Sequence, residues 1–200
     1  MSPIDRLDAL DRSAFLVLNG LHAQALDGLM WHISQLQLWI PLYVFLLYLL
    51  QRQWGWRGLA IAVPVITLMI IATDSGSVML FKNTVQRLRP SHVDELQAHI
   101  HLLRAPDGTL YRGGTFGFVS SHASNHFGIA AFMAGVLGGR PRWAAVGLFL
   151  WAAMIAYSRI YLGVHYPGDV LVGGAYGAVV GSLAFRSFRW VYLHFPKARA

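Results

Sequence analysis

The sequence predicts an all-α membrane protein, a polytopic bundle of about five transmembrane helices with an N-terminal interfacial helix. Three observations predict it. Of 200 residues, 56% are apolar and only 12% charged, against about 25% charged in a soluble domain. Long apolar runs recur at the length of roughly 20 residues that a bilayer crossing requires. Most tryptophans sit near the ends of those runs, as an aromatic belt predicts. The absence of cysteine excludes a disulfide framework, a thiolate zinc site and a cysteine nucleophile. In such a chain the net charge of +7 reflects topology rather than a nucleic-acid partner. The opening MSPIDRLDALDR mixes acids and bases, unlike the positive run of a cleavable signal.

Residues 4–22 read as an amphipathic helix. Leu7, Leu10, Phe15, Leu18 and Leu21 fall near helical spacing, with Asp5, Asp8, Asp11 and Arg12 elsewhere. Its apolar core is too short to span, so it lies in the interface. The first span is expected at 28–50 and the second at 57–81. The second helix is expected to continue through KNTVQRLR until Pro90 stops it. Residues 91–118 form the one long extramembrane loop. The third span runs from about 120 to 138, the fourth from 143 to 158 and the fifth from 168 to 185. Neither a repeat nor a low-complexity segment is visible, so residues 1–200 read as one domain.

Five passes put the N-terminal segment, 82–121 and 159–169 on one face. The other face carries Arg52, Arg57, Arg140, Arg142, Arg186, Arg189, Lys197 and Arg199 and no acid. The positive-inside rule makes that basic face cytoplasmic. The first face then looks outward from a bacterial inner membrane, toward a periplasm or exterior.

Chemistry concentrates on that outward face. The stretch SRIYLGVHYPGD, 158–169, separates two apolar runs and carries Arg159, His165 and Asp169. Ionisable groups at a membrane boundary are costly unless they line a cavity or meet a partner. With Pro167 in the first turn of the next helix, His165 and Asp169 share a face, about 6 Å apart. A carboxylate there fixes the imidazole tautomer and raises its basicity, which makes a histidine nucleophilic. Arg159 offers a fork of donors suited to phosphate. A structural interfacial ion pair explains the same three residues.

Lys82 and Arg89 lie seven residues apart, about two helical turns, so both can face one ligand. Arg87 falls off that line by roughly 160° and reads as an exposed charge. Cations at a helix C-terminus, favoured by the macrodipole, are the plainer explanation. In GFVSSHASNHFG, Ser120 is an N-cap signal, and a helix start there makes an anion cradle from Ser120, Ser121 and the nearby amides. His122 at that point can serve as a general acid. His126 completes an HxxxH spacing, but the supporting glutamate of a metal site is missing, so Asn125 and His126 read as hydrogen-bonded supports. Asp74, beside Ser75 and Ser77, either touches substrate or bonds within the bundle. His99, His101, Arg104 and Arg112 read as solvated loop residues.

The order Lys82, six residues, Arg89-Pro90, then Ser120-Ser121-His122, then Ser158-Arg159, five residues, His165, three residues, Asp169 resembles the type-2 phosphatidic acid phosphatase superfamily. Its members include membrane lipid phosphatases, vanadium haloperoxidases and some soluble acid phosphatases. The outer two motifs are intact. The middle one departs, with Val119-Ser120-Ser121-His122 where the family usually has Pro-Ser-Gly-His. The resemblance implies a six-helix core and an enzyme without metal or other cofactor. It implies that His165 forms a phosphohistidine, Asp169 orients it and His122 protonates the leaving oxygen. Lys82, Arg89 and Arg159 would bind phosphate, assisted by Ser120 and Ser121. The expected partners are the bilayer and a lipid phosphate. Undecaprenyl diphosphate leads by family analogy, with phosphatidylglycerol phosphate, phosphatidate and lipid A phosphates as alternatives. A lipid or anion transporter is the alternative of another class. Transporters show repeats and broken helices in both halves, which this sequence lacks.

Overall fold

The computed structural model describes residues 2–104, 107–138 and 141–195, and these are mostly helical, with isolated bridges but no strand among them. Helix α1 (Pro3–Gly20) starts from a reciprocal cap. Ser2 Oγ accepts from Asp5 N at 3.1 Å, Asp5 Oδ2 accepts from Ser2 N at 2.7 Å, and Pro3 sits in the first turn. Ile4, Leu7, Leu10 and Val17 stay exposed while Phe15 and Asn19 are buried. That pattern suits a helix lying on the bilayer surface. Asn19 ties it down: its amide donates to Ile160 O and Tyr161 O, and its oxygen accepts from His101 N at 2.7 Å.

The apolar run expected as a first span at 28–50 is instead two helices, α2 (Gln24–Ile33) and α3 (Leu36–Gly76). The break falls at Gln35, whose backbone is extended. His32, Ser34, Gln35 and Gln37 mark the break as a short polar patch, which the longer apolar stretches on either side outweigh when 28–50 is read as one run. A straight α3 would measure about 60 Å, twice the hydrocarbon thickness of a bilayer. Gly55 resolves this with φ 69°, a left-handed conformation that side chains resist. The helix folds back there. Tyr43, Leu46 and Leu47 of the first leg line one cavity with Ile66, Met69 and Ile70 of the second, so the legs run antiparallel.

The second leg departs from expectation too. It widens into a π-helical turn, Ser77–Lys82, and after α4 (Asn83–Val85) stops at Gln86, φ 51°. Lys82 therefore sits in a π turn, and Arg87 and Arg89 lie on a loop rather than further along the helix. Helices α5 (Ser121–Val136), α6 (Arg142–Tyr161) and α7 (Pro167–His194) complete the bundle. Leu36–Val85, α6 and α7 are long and apolar enough to cross a membrane. At one end, the Gly55 turn meets the ends of α5 and α7: Trp54 Nε1 donates to Val136 O at 3.1 Å, and Arg57 donates to Tyr192 O at 2.8 Å. Arg140, Lys197 and Arg199 lie outside the described residues. The starts of α5 and α7, the end of α6, α1 and the long loop gather at the opposite end.

Helix α7 packs against α5 more extensively than any other pair does. Gly173, Gly177 and Gly181 recur every four residues on one face of α7. A Cβ at Gly177 would stand 2.0 Å from Ser124 O, and one at Gly181 2.2 Å from Gly128 O. Bare backbone on one helix thus touches bare backbone on the other, the small-residue packing of membrane helices. Phe132, Val136, Phe188, Leu50 and Trp151 fill the core beside this seam.

Candidate active site

Local structure positions each group. Proline fits the first turn of a helix, so Pro167 opens α7 and puts Asp169 in that turn, with Asp169 Oδ2 accepting from Tyr166 N at 3.0 Å. His165 stands just ahead, its Nδ1 3.3 Å from Asp169 Oδ2. Both residues are buried. Arg89 Nη1 lies 2.9 Å from His165 Nε2. A guanidinium can only donate, so Nε2 carries the lone pair and Nδ1 carries the proton that points at Asp169. Burial and the nearby charges of Arg89, Arg159 and Lys82 hold the His165 pKa well below the ordinary imidazole value. The imidazole is therefore neutral, with its free electron pair facing the cations. Arg89 is pushed down to about 10 by burial and by Arg159, and it remains charged at neutral pH.

The loop after α4 wraps these groups closely. Arg89 N donates to Thr115 O at 3.0 Å, and Gly117 N to Arg87 O at 2.9 Å. A Cβ at Gly113, φ 67°, would meet Arg89 Nη1 at 2.9 Å, and one at Gly117 would meet Asp169 Oδ2 at 2.8 Å. Arg159, at the end of α6, is buried and donates from Nη2 to Tyr111 OH at 2.7 Å. Its Nε has no hydrogen-bond partner among the described residues.

At the start of α5 the two serines divide. Ser120 is the N-cap, with its oxygen taking Ala123 N at 3.4 Å, and it does not line the cavity. Ser121 does: Lys82 Nζ donates to its Oγ at 2.8 Å, and Ser77 Oγ lies 2.5 Å away. A cavity of about 410 Å³ collects Lys82, Arg89, Ser121, His122, Arg159 and His165 from five segments of the chain. Asp74, Asn125 and His126 line it as well. Asn125 accepts from Thr73 Oγ1 at 2.7 Å. Both nitrogens of His126 are engaged, Nδ1 with His122 O at 2.7 Å and Nε2 with Tyr43 OH at 3.0 Å. Among the described residues no three His, Asp or Glu side chains gather as a metal site would require.

Two readings of the sequence need correction. Arg87 is not an exposed charge: it bonds Asp169, Asp11 and Asp8. Helical spacing from Lys82 could not locate it, because the helix ends at Val85. His101 is not solvated either, since its Nε2 lies 3.0 Å from Asp27 Oδ1 and its ring stacks on His22.

Residues 58–193 match the PAP2 superfamily. The chain belongs to the PAP2 superfamily. It is an integral-membrane PAP2 phosphatase, a phosphoric-ester hydrolase, which removes the transporter alternative. It is 35% identical to the lipid A 4'-phosphatase of Bacteroides thetaiotaomicron, across 91% of this chain and 78% of that one. The Porphyromonas gingivalis lipid A 4'-phosphatase is 30% identical across 92% of this chain and 74% of its own. An undecaprenyl-diphosphatase of Sulfolobus acidocaldarius is 27% identical, across 85% and 74%. Among solved PAP2 structures, Aquifex aeolicus LpxE superposes with a TM-score of 0.62 at 25% identity, covering 88% of this chain and 95% of that one.

Proposed function

We propose that this PAP2 phosphatase hydrolyses a phosphomonoester on a glycolipid of the lipid A class, on the outer side of the inner membrane, through a phosphohistidine at His165. Undecaprenyl diphosphate, the expectation from sequence, gives way. The two relatives matched over nine-tenths of the chain are named for lipid A, and the undecaprenyl relative is more distant.

The carrying observation is the lone pair of His165 Nε2 directed at Arg89, in a cavity that Lys82 and Arg159 also line. Phosphoryl transfer needs little else than an in-line nucleophile, a leaving-group acid and cations on the equatorial oxygens. A bound phosphate draws Arg89 off Nε2 and gives Arg159 Nε an acceptor. Nε2 then attacks phosphorus while the P–O bond to the sugar breaks. His122 gives its proton to the departing oxygen. In the second half His122 takes a proton from water, the water oxygen bonds phosphorus, the P–N bond breaks and inorganic phosphate leaves. Asp169 keeps the proton of His165 on Nδ1 throughout and stabilises the cationic ring.

Two features favour a lipid with a hydroxylated headgroup. An apolar cavity of about 310 Å³ between the legs of α3 and α5 shares Leu36, Asn125 and His126 with the site, and its walls suit an acyl chain. Asp74 places a carboxylate on the site wall. It would accept from sugar hydroxyls, whereas a second phosphate there would be repelled. The outward orientation rests on the basic opposite face.

The test is phosphate release by purified protein in detergent, with lipid A, undecaprenyl diphosphate, phosphatidylglycerol phosphate and phosphatidate side by side. Lipid A should be fastest, and His165→Ala should release nothing. A clear preference for undecaprenyl diphosphate would overturn the substrate; equal release by His165→Ala would overturn the mechanism.

A further inference from the structure

Arg87 is the charged side chain behind the site that the proposed chemistry leaves unused. Its Nη1 donates to Asp169 Oδ1 at 3.1 Å and to Asp11 Oδ2 at 2.6 Å, and its Nη2 donates to Asp8 Oδ1 at 2.8 Å. Its guanidinium lies 3.9 Å above the Tyr166 ring, which packs edge-on against Phe15 of α1 at 5.3 Å. Asp11 also accepts from Gly168 N at 2.7 Å, in the first turn of α7. A Cβ at Gly168 would stand 2.6 Å from that carboxylate. Asp169 is thus held on both oxygens: Oδ2 takes His165 and Tyr166 N, and Oδ1 takes Arg87.

We propose that Arg87 is a positioning residue for the phosphatase reaction, locking the Asp169 carboxylate from the side away from the cavity, and that the surface helix α1 holds Arg87 through Asp8 and Asp11. The geometry requires a guanidinium. One planar fork reaches three carboxylates on two helices, which a single ammonium cannot do. A carboxylate bonded on both oxygens cannot rotate, so the imidazole it orients cannot either. Burial pulls the Arg87 pKa down, but Asp169, Asp11 and Asp8 outweigh it and the net shift is upward, so the group stays charged throughout the working range. The acidic face of α1, whose apolar face lies exposed for the bilayer surface, therefore forms part of the support for catalysis.

This inference rests on His165 being the nucleophile, so the experiment includes His165→Ala as its reference. The charged and titratable groups around Asp169 are His165 and Tyr166 ahead of α7, Arg87 and Arg89 on the loop, Lys82 beyond them, and Asp8 and Asp11 on α1. Phosphate release from the lipid ranked fastest in the panel is measured against pH for Arg87→Gln, Arg87→Lys and the double variant Asp8→Asn with Asp11→Asn. Arg87→Gln should lower kcat by about 100-fold, the usual scale for a misplaced reacting group, with KM within a few-fold. Its acid limb should move to higher pH, because losing a cation raises the pKa of the Asp169–His165 pair. Arg87→Lys should recover part of kcat. The double variant keeps Arg87 and every cavity residue. It should lower kcat and move the acid limb the opposite way, since two carboxylates no longer compete for Arg87. Should Arg87→Gln fail to fold, the double variant decides alone. A stationary acid limb, with or without a fall in kcat, overturns the proposal and leaves Arg87 purely structural. Activity surviving in His165→Ala strikes the nucleophile instead; His165→Ala inert beside a wild-type Arg87→Gln strikes this inference only.

Discussion

Replacing Gly177 by alanine tests whether the α5–α7 seam sets the geometry of the site. A Cβ at that position would stand 2.0 Å from Ser124 O, 2.7 Å from its carbonyl carbon and 2.8 Å from its Cα. Ordinary contact begins near 3.4 Å, so α5 must withdraw by 3.4 minus 2.0, or 1.4 Å, along that line. All three obstructing atoms are backbone, and no rotamer change relieves them. Ser124 lies two residues beyond His122 and three beyond Ser121, so the displacement shifts both relative to Lys82 and His165. Misplacement by about 1 Å can cost about 100-fold in rate. Forced overpacking costs about 1–3 kcal/mol of stability. Phosphate release in detergent should therefore fall by about 100-fold in kcat for Gly177→Ala, with a lower thermal midpoint. Gly147→Ala on α6 is the control, because a Cβ there meets nothing within 4 Å. Wild-type kcat and midpoint in Gly177→Ala would refute the reasoning.

Other expectations follow from the charges. Lys82→Ala and Arg159→Ala should each lower kcat by about 10²–10³-fold, the range for removing one oxyanion donor, and turnover within a few-fold of wild type would remove them from the phosphate site. EDTA should leave activity intact; complete loss restored by a divalent cation would reopen the His122–His126 pair as a metal site. Acid should destabilise the substrate-free protein. The folded His165 pKa lies below its unfolded value of about 6.5, so the unfolded chain binds more protons and stability falls as pH drops below about 6.5. The thermal midpoint measured across pH 5–8 should decline on the acid side, and less so for His165→Gln. Equal declines in both would assign the effect elsewhere.

The charged residues of the cavity were legible because ionisable groups at a bilayer boundary are too costly to lack partners. His165 and Asp169 were legible as a pair because Pro167 fixes where the helix starts. Arg87 was not. Angular spacing locates a residue only while the helix continues, and Gln86 at φ 51° ends it before Arg87. Its partners were equally concealed: on an interfacial helix, Asp8 and Asp11 look like an ordinary solvated face. The break at Gln35 had a signal in the polar patch of His32, Ser34, Gln35 and Gln37, but a patch this short does not interrupt a reading by whole apolar runs. The seam is not among the expectations from sequence either, although glycines at 173, 177 and 181 recur with a period of four that places them on one face.

Charge balance connects the fold to the monoester reading. Arg87 faces three carboxylates, Asp8, Asp11 and Asp169, and is fully occupied behind the site. Asp169 stands behind the cavity wall and does not line it. The charged side chains lining the cavity are then Lys82, Arg89 and Arg159 against Asp74. Three cations against one carboxylate leave two positive charges, the complement of a phosphomonoester dianion. Arg89 and Arg159 are buried, and buried like charges are costly without an anion. This surplus supports the proposed preference for a phosphomonoester. Neutralising Asp74 as asparagine should raise the surplus and weaken discrimination against diphosphates. If Asp74→Asn leaves the ratio of lipid A to undecaprenyl diphosphate turnover unchanged, charge balance does not choose the substrate.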